Sequence, residues 1–116
     1  METAPAYVNS ISTKFDEDAI HLGVKFTKYI CVNNECIQPA EKFCLILIPK
    51  TSENIESCCA YFKNNDKPFN ITFDLDTQEI VRTAKFPFNR YIGAKIEPTR
   101  EVPNRPLDQN KSIFQK

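Results

Sequence analysis

Cys31, Cys36, Cys44, Cys58 and Cys59 stand in a chain of 116 residues, and they are the first side chains whose type could carry chemistry. Thiolates hold zinc when four ligands converge tetrahedrally, commonly as two close pairs. Cys31 and Cys36 supply one such pair across Asn33-Asn34, but Cys44 stands alone. Cys58 and Cys59 are adjacent, so in a strand they point to opposite faces. A nucleophilic cysteine needs a base beside it, and no spacing pairs the single histidine, His21, with any of the five. A Cys31–Cys36 disulfide is the rival reading, weakened by the odd count. The expectation is small, buried, apolar thiols, with no metal and no cofactor.

The carboxylates offer little more. Asp74 and Asp76 share one face of an alternating run, and Asp16, Glu17 and Asp18 cluster earlier. Paired carboxylates do acid–base work when burial splits their pKa values. Here Thr72, Thr77 and Gln78 are polar neighbours, which describes a solvated face. The run from Asp74 begins like a calcium loop, yet Glu79 and Lys85 occupy the positions that need glycine and a bidentate glutamate. Gly23 and Gly93 are the only glycines, which excludes glycine-lined phosphate loops. No residue is assigned a catalytic role, and the chain is expected not to be an enzyme.

Two segments could bind instead. Lys85-Phe86-Pro87-Phe88-Asn89-Arg90-Tyr91 interleaves cations with rings, the combination that stacks bases and holds phosphates. Its candidate nucleic-acid residues are Phe86, Phe88, Arg90 and Tyr91, although Phe86 and Phe88 fit equally as core residues at alternate strand positions. The other segment covers residues 98–116, where Pro98, Pro103 and Pro106 fall among polar and charged residues. Proline at that density blocks helix and interior strand pairing. An extended arm is therefore expected, with Arg100, Arg105, Ile113 and Phe114 as its partner-binding residues. The formal net charge is zero, yet from Arg82 onward eight basic residues outnumber three acidic ones. An acidic body with a basic C-terminal third suits either self-complementary packing or a tail aimed at an acidic partner.

The elements that would position these residues read as strands. Ile20, Leu22, Val24, Phe26, Ile30 and Val32 alternate with other residues, a period of two that predicts one long half-buried strand. Asn33-Asn34 tolerates left-handed backbone and predicts a turn. Residues 43–48 are apolar on both faces and stop at Pro49, as a central buried strand would. Residues 51–56 read as a loop or a single helical turn, and 57–62 as a further strand. Phe69, Ile71, Phe73 and Leu75 alternate cleanly. Asp76-Thr77-Gln78 then reads as a hairpin connection to 80–86, and a last strand covers 90–96. The predicted fold is all-β: a single small antiparallel β-sandwich or barrel of six or seven strands with an extended C-terminal arm. Its parts are an N-terminal lead-in over 1–18 with room for a short strand around Tyr7-Val8, a β domain over 19–97 and the arm over 98–116. A chain of this size has room for one core.

No run approaches the roughly 20 apolar residues of a membrane span. The acidic N-terminus lacks the apolar stretch of a signal peptide, so a cytoplasmic or other intracellular location is expected. The preferred functional reading is a non-catalytic protein-binding or structural subunit of a larger assembly, docked on a protein partner through the arm. Two alternatives stand beside it: a single-stranded nucleic-acid-binding β-barrel, and a secreted β domain containing disulfides.

Overall fold

The side chains that set the period-two rhythm are the ones that end up inside. Ile20, Leu22, Val24 and Phe26 join Phe69, Ile71 and Phe73 in one buried hydrophobic core. The structure is a computed structural model that describes residues 1–14 and 16–99. In chain order it contains β1 (Glu2–Ser12), β2 (Ala19–Phe26), β3 (Ile30–Val32), β4 (Glu35–Gln38), β5 (Phe43–Pro49), α1 (Ser52–Lys63), β6 (Phe69–Val81) and β7 (Phe88–Pro98). The protein is mostly β, with one short helix.

Five strands close into a barrel in the order β1-β2-β5-β7-β6, while β3 and β4 form a separate two-stranded hairpin. Closure comes from β6 pairing back onto β1, with Ala6 opposite Phe69 and Glu2 opposite Phe73. One pair departs from the antiparallel expectation: β5 and β7 run parallel. A parallel pair needs a long crossover, and α1 with β6 provides it.

Polar side chains fasten both ends of this barrel. Thr51 caps α1 by accepting the Asn54 N–H at 3.1 Å, and Asn54 itself is buried. Its amide donates to the carbonyls of Pro49 at 2.8 Å and Ala94 at 3.2 Å, and its oxygen accepts the Ile96 N–H at 3.2 Å. The Tyr61 hydroxyl donates to the Val8 carbonyl, beside a bulge in β1 between Val8 and Ser10. The hairpin closes the opposite end, near the start of β7. Its register passes over Ile37, whose carbonyl accepts from Gln78 at 3.2 Å and Asn89 at 3.3 Å. Buried Gln38 accepts from Asn89 at 2.9 Å and from the Tyr91 hydroxyl at 3.1 Å, and it donates to the Pro39 and Lys42 carbonyls. These buried polar groups are satisfied, as a stable interior requires.

Several expectations change. The short strand expected around Tyr7-Val8 in the lead-in is a full barrel strand over residues 2–12, with Ala4, Ala6 and Val8 turned inward; small inward residues and Pro5 hide its length. The strand expected over 20–32 ends at Phe26 and resumes at Ile30. Residues 43–48 bury one face only, leaving Phe43, Leu45 and Leu47 on the outer side. The loop and strand expected over 51–62 are the single helix α1. Its buried side chains are Asn54 and Cys58, so no apolar helical stripe is visible in the sequence.

The hairpin expected at residues 76–78 is a bulge inside β6, where the register passes from Asp74 opposite Ile92 to Glu79 opposite Arg90. There the Thr77 hydroxyl donates to the Asp74 carbonyl at 2.6 Å and accepts the Ile92 N–H at 2.8 Å. The side chain takes over the ladder bonds locally, and the chain reverses only over residues 82–87. Cys44 and Cys58 are buried as expected, but Cys31, Cys36 and Cys59 are exposed. Of the expected arm, Pro98 ends β7 and Thr99 follows it. Arg100, Arg105, Ile113 and Phe114 lie outside the described residues.

Candidate functional site

Strand register sets a row of rings and cations around the outside of the barrel. Tyr7 stands opposite Lys25, and Lys25 opposite Phe43. The Phe43 ring meets Phe88 edge-on, with centroids 5.1 Å apart and planes at 84°. Each neighbours an inward residue along its strand, so the pleat turns it outward. Gly23 makes the seat for Phe43. A Cβ there would lie 2.8 Å from Phe43 Cε1 and collide with Ser10 Oγ, so the ring rests over bare backbone.

The row runs into the 82–87 connection between β6 and β7. Phe86 is 77% exposed, and Lys85 Nζ lies 5.8 Å from its ring centroid, a cation–π contact. Lys42, Phe43, Ala84, Lys85, Phe86, Pro87 and Phe88 line a groove of about 670 Å³. A smaller hollow of about 360 Å³ lies between Tyr7, Lys25, Phe26, Thr27 and Glu41. Lys25 lines one and its register partner Phe43 the other, and Glu41 is the single carboxylate among these lining residues. Rings with adjacent ammonium groups can hold a planar, anionic, flexible ligand; they hold no nucleophile–base couple.

The four residues singled out from sequence separate. Phe86 and Phe88 come together in the groove. Arg90 is on the same outer face but is engaged in an ion pair with Glu79. Tyr91 is a core residue with 0% exposure, packed on Phe73 with centroids 5.0 Å apart, and it presents no ring for stacking. Burial raises its phenol above the usual range, while the hydrogen bonds from Gln78 and Asn89 pull the other way. The half-site of Cys31 and Cys36 finds no third metal ligand among the described residues.

The sequence alone does not single out Tyr7, Lys25, Lys42 or Phe43. Lys25 was legible as the wet face of an alternating strand, but Tyr7 sat in the supposed lead-in and Phe43 in a supposed core strand. Comparison of the chain with protein-family models, with curated proteins and with solved structures gives no match.

Proposed function

We propose that the chain is a single-stranded nucleic-acid-binding barrel that stacks bases on Phe43, Phe86 and Phe88 and holds phosphates with Lys25, Lys42 and Lys85. The observation that supports it is the outward row Tyr7–Lys25–Phe43–Phe88 ending at the Lys85–Phe86 contact. Every base has a face that stacks on an aromatic ring, and a lysine beside each ring meets the backbone. In chain order β2 and β5 are the second and third barrel strands, and the 82–87 loop joins the fourth and fifth. Five-stranded oligonucleotide- and oligosaccharide-binding barrels use that face and that loop. This is an analogy of architecture, so the weight rests on the residues. With zero net charge and few cations at the groove, binding is local and modest in affinity.

Fluorescence anisotropy with labelled thymidine and uridine oligonucleotides tests the reading. Three neutralised phosphates on a single strand predict that log K falls against log salt with a slope of about −2. Phe86→Ala, which removes an exposed ring and no core packing, is expected to weaken binding by about 1–3 kcal/mol. Absence of binding to either polymer at low ionic strength, or an unchanged affinity in the variant, overturns the proposal. Docking of a protein partner through Arg100, Arg105, Ile113 and Phe114 rests on residues outside the described part. Removal of residues 100–116 separates the two: the groove reading expects Phe86-dependent binding to survive.

A further inference from the structure

We infer that Cys31 and Cys36 form a reversible dithiol–disulfide site on the β3–β4 hairpin, oxidised by a low-molecular-weight disulfide such as oxidised glutathione. This site is independent of the groove.

The hairpin brings the two together by its turn. Asn33 and Asn34 both adopt left-handed backbone, with φ of 52° and 66°, the two-residue connection whose twist matches that of the flanking strands. Val32 and Glu35 close the turn, and Cys31 stands directly opposite Cys36. Antiparallel pairs alternate between hydrogen-bonded and closer non-bonded types. The pair that closes a two-residue turn is the bonded one, so Cys31 and Cys36 are the closer type, with Cα atoms about 4.5 Å apart. That separation lies within the range a disulfide spans. Directly opposed side chains leave the sheet on the same face, and both cysteines are exposed. Cys36 is raised by desolvation, then by the charge of Cys31 and a side-chain hydrogen bond between the two, the direction expected for neighbouring thiols.

The remaining thiols are set apart by burial and by direction. Burial pushes Cys44 up to about 12. Cys58 is pushed up to about 11 by burial and then by Cys59. Only a thiolate attacks a disulfide, so these two react slowly. Cys59 is exposed, but its helix neighbour Cys58 points into the core, and diverging Cβ directions do not bridge.

The reaction balances without a metal. One thiolate attacks a sulfur of the small disulfide, expels a small thiolate and leaves a mixed disulfide. The second protein thiol loses its proton, attacks the mixed disulfide at the protein sulfur and expels the second small thiolate. The protein loses two electrons and two protons, and the small disulfide becomes two thiols.

Incubation of the full chain in buffers of graded oxidised-to-reduced glutathione ratio tests this. Alkylation of the denatured protein is expected to lose two reactive thiols from the five of the reduced chain. Cleavage after Glu35 is expected to leave the two flanking fragments joined until dithiothreitol is added. Cys59→Ser is expected to retain the cross-link, and Cys31→Ser to show a glutathione adduct on Cys36 in its place. Retention of all five thiols at oxidising ratios, a cross-link involving another cysteine, or a bridge between two chains overturns the inference.

Discussion

At Asn54 one side-chain amide serves three backbone groups on two strands: the Pro49 and Ala94 carbonyls and the Ile96 N–H. Asn54→Ala takes this partner from the Ala94 carbonyl and the Ile96 N–H, while the Pro49 carbonyl keeps the Thr51 N–H at 2.9 Å; each buried group left unsatisfied costs about 1–3 kcal/mol. A total loss of about 2–4 kcal/mol is expected, read as a lowered urea midpoint with an unchanged m-value. A loss under about 1 kcal/mol would mean that water reaches these groups. None of this was legible in the sequence, because Asn54 sits in a polar run that resembles a loop. Ile20, Leu22, Val24 and Phe26 were legible, since apolar burial repeats along a strand. A polar partnership depends on what another segment brings, and Ala94 and Ile96 are forty residues or more away.

Between elements, the two glycines divide structure from site. Gly23 lies under Phe43, and a Cβ at Gly93 would meet Ile46 and Ile48 Cγ2 at 2.7 and 2.9 Å inside the barrel. Either alanine substitution overpacks its surroundings, at about 1–3 kcal/mol of stability. Gly23→Ala is expected to lower oligonucleotide affinity as well, because the Phe43 ring must lift from its seat. Gly93→Ala is expected to leave the affinity of the folded fraction unchanged. Equal affinities for the two variants would show that the seat of Phe43 does not matter to binding. The alternating strands and the Asn33-Asn34 turn were readable because period and turn chemistry are local. The bulge at residues 75–78 was not: Asp74, Thr77 and Ile92 build it jointly, and a sequence shows only the turn-forming residues.

For the molecule as a whole, three acids raised by burial in the core, Cys44, Cys58 and Tyr91, set the response to alkali. Burial lifts Cys44 from 9.0 to about 12 and Cys58 from 9.0 to about 11, and it raises Tyr91 above 10.0. In the unfolded chain each ionises at its ordinary value, while the folded state keeps the proton. Their stabilising contribution is therefore complete below about pH 9 and is lost as pH rises through the folded values. The slope reaches about −1.4 kcal/mol per pH unit for each group. Urea midpoints measured between about pH 8 and 11 check this. Cys44→Ala is expected to flatten the decline, and an unchanged slope would show that Cys44 ionises alike in the folded and unfolded chain. The all-β class and the single core followed from the sequence. The parallel β5–β7 pair did not, since the order of strands is decided by closure and not by any one run.

A ring of strands with no first or last member gives a neighbouring polypeptide no ladder to extend. Among the described residues only β3 and β4 lack a second strand neighbour, and they are three and four residues long. Among the described residues, that hairpin is the ledge on which a foreign strand could settle, alongside Cys31 and Cys36. A ledge so short is a poor seed for fibre growth.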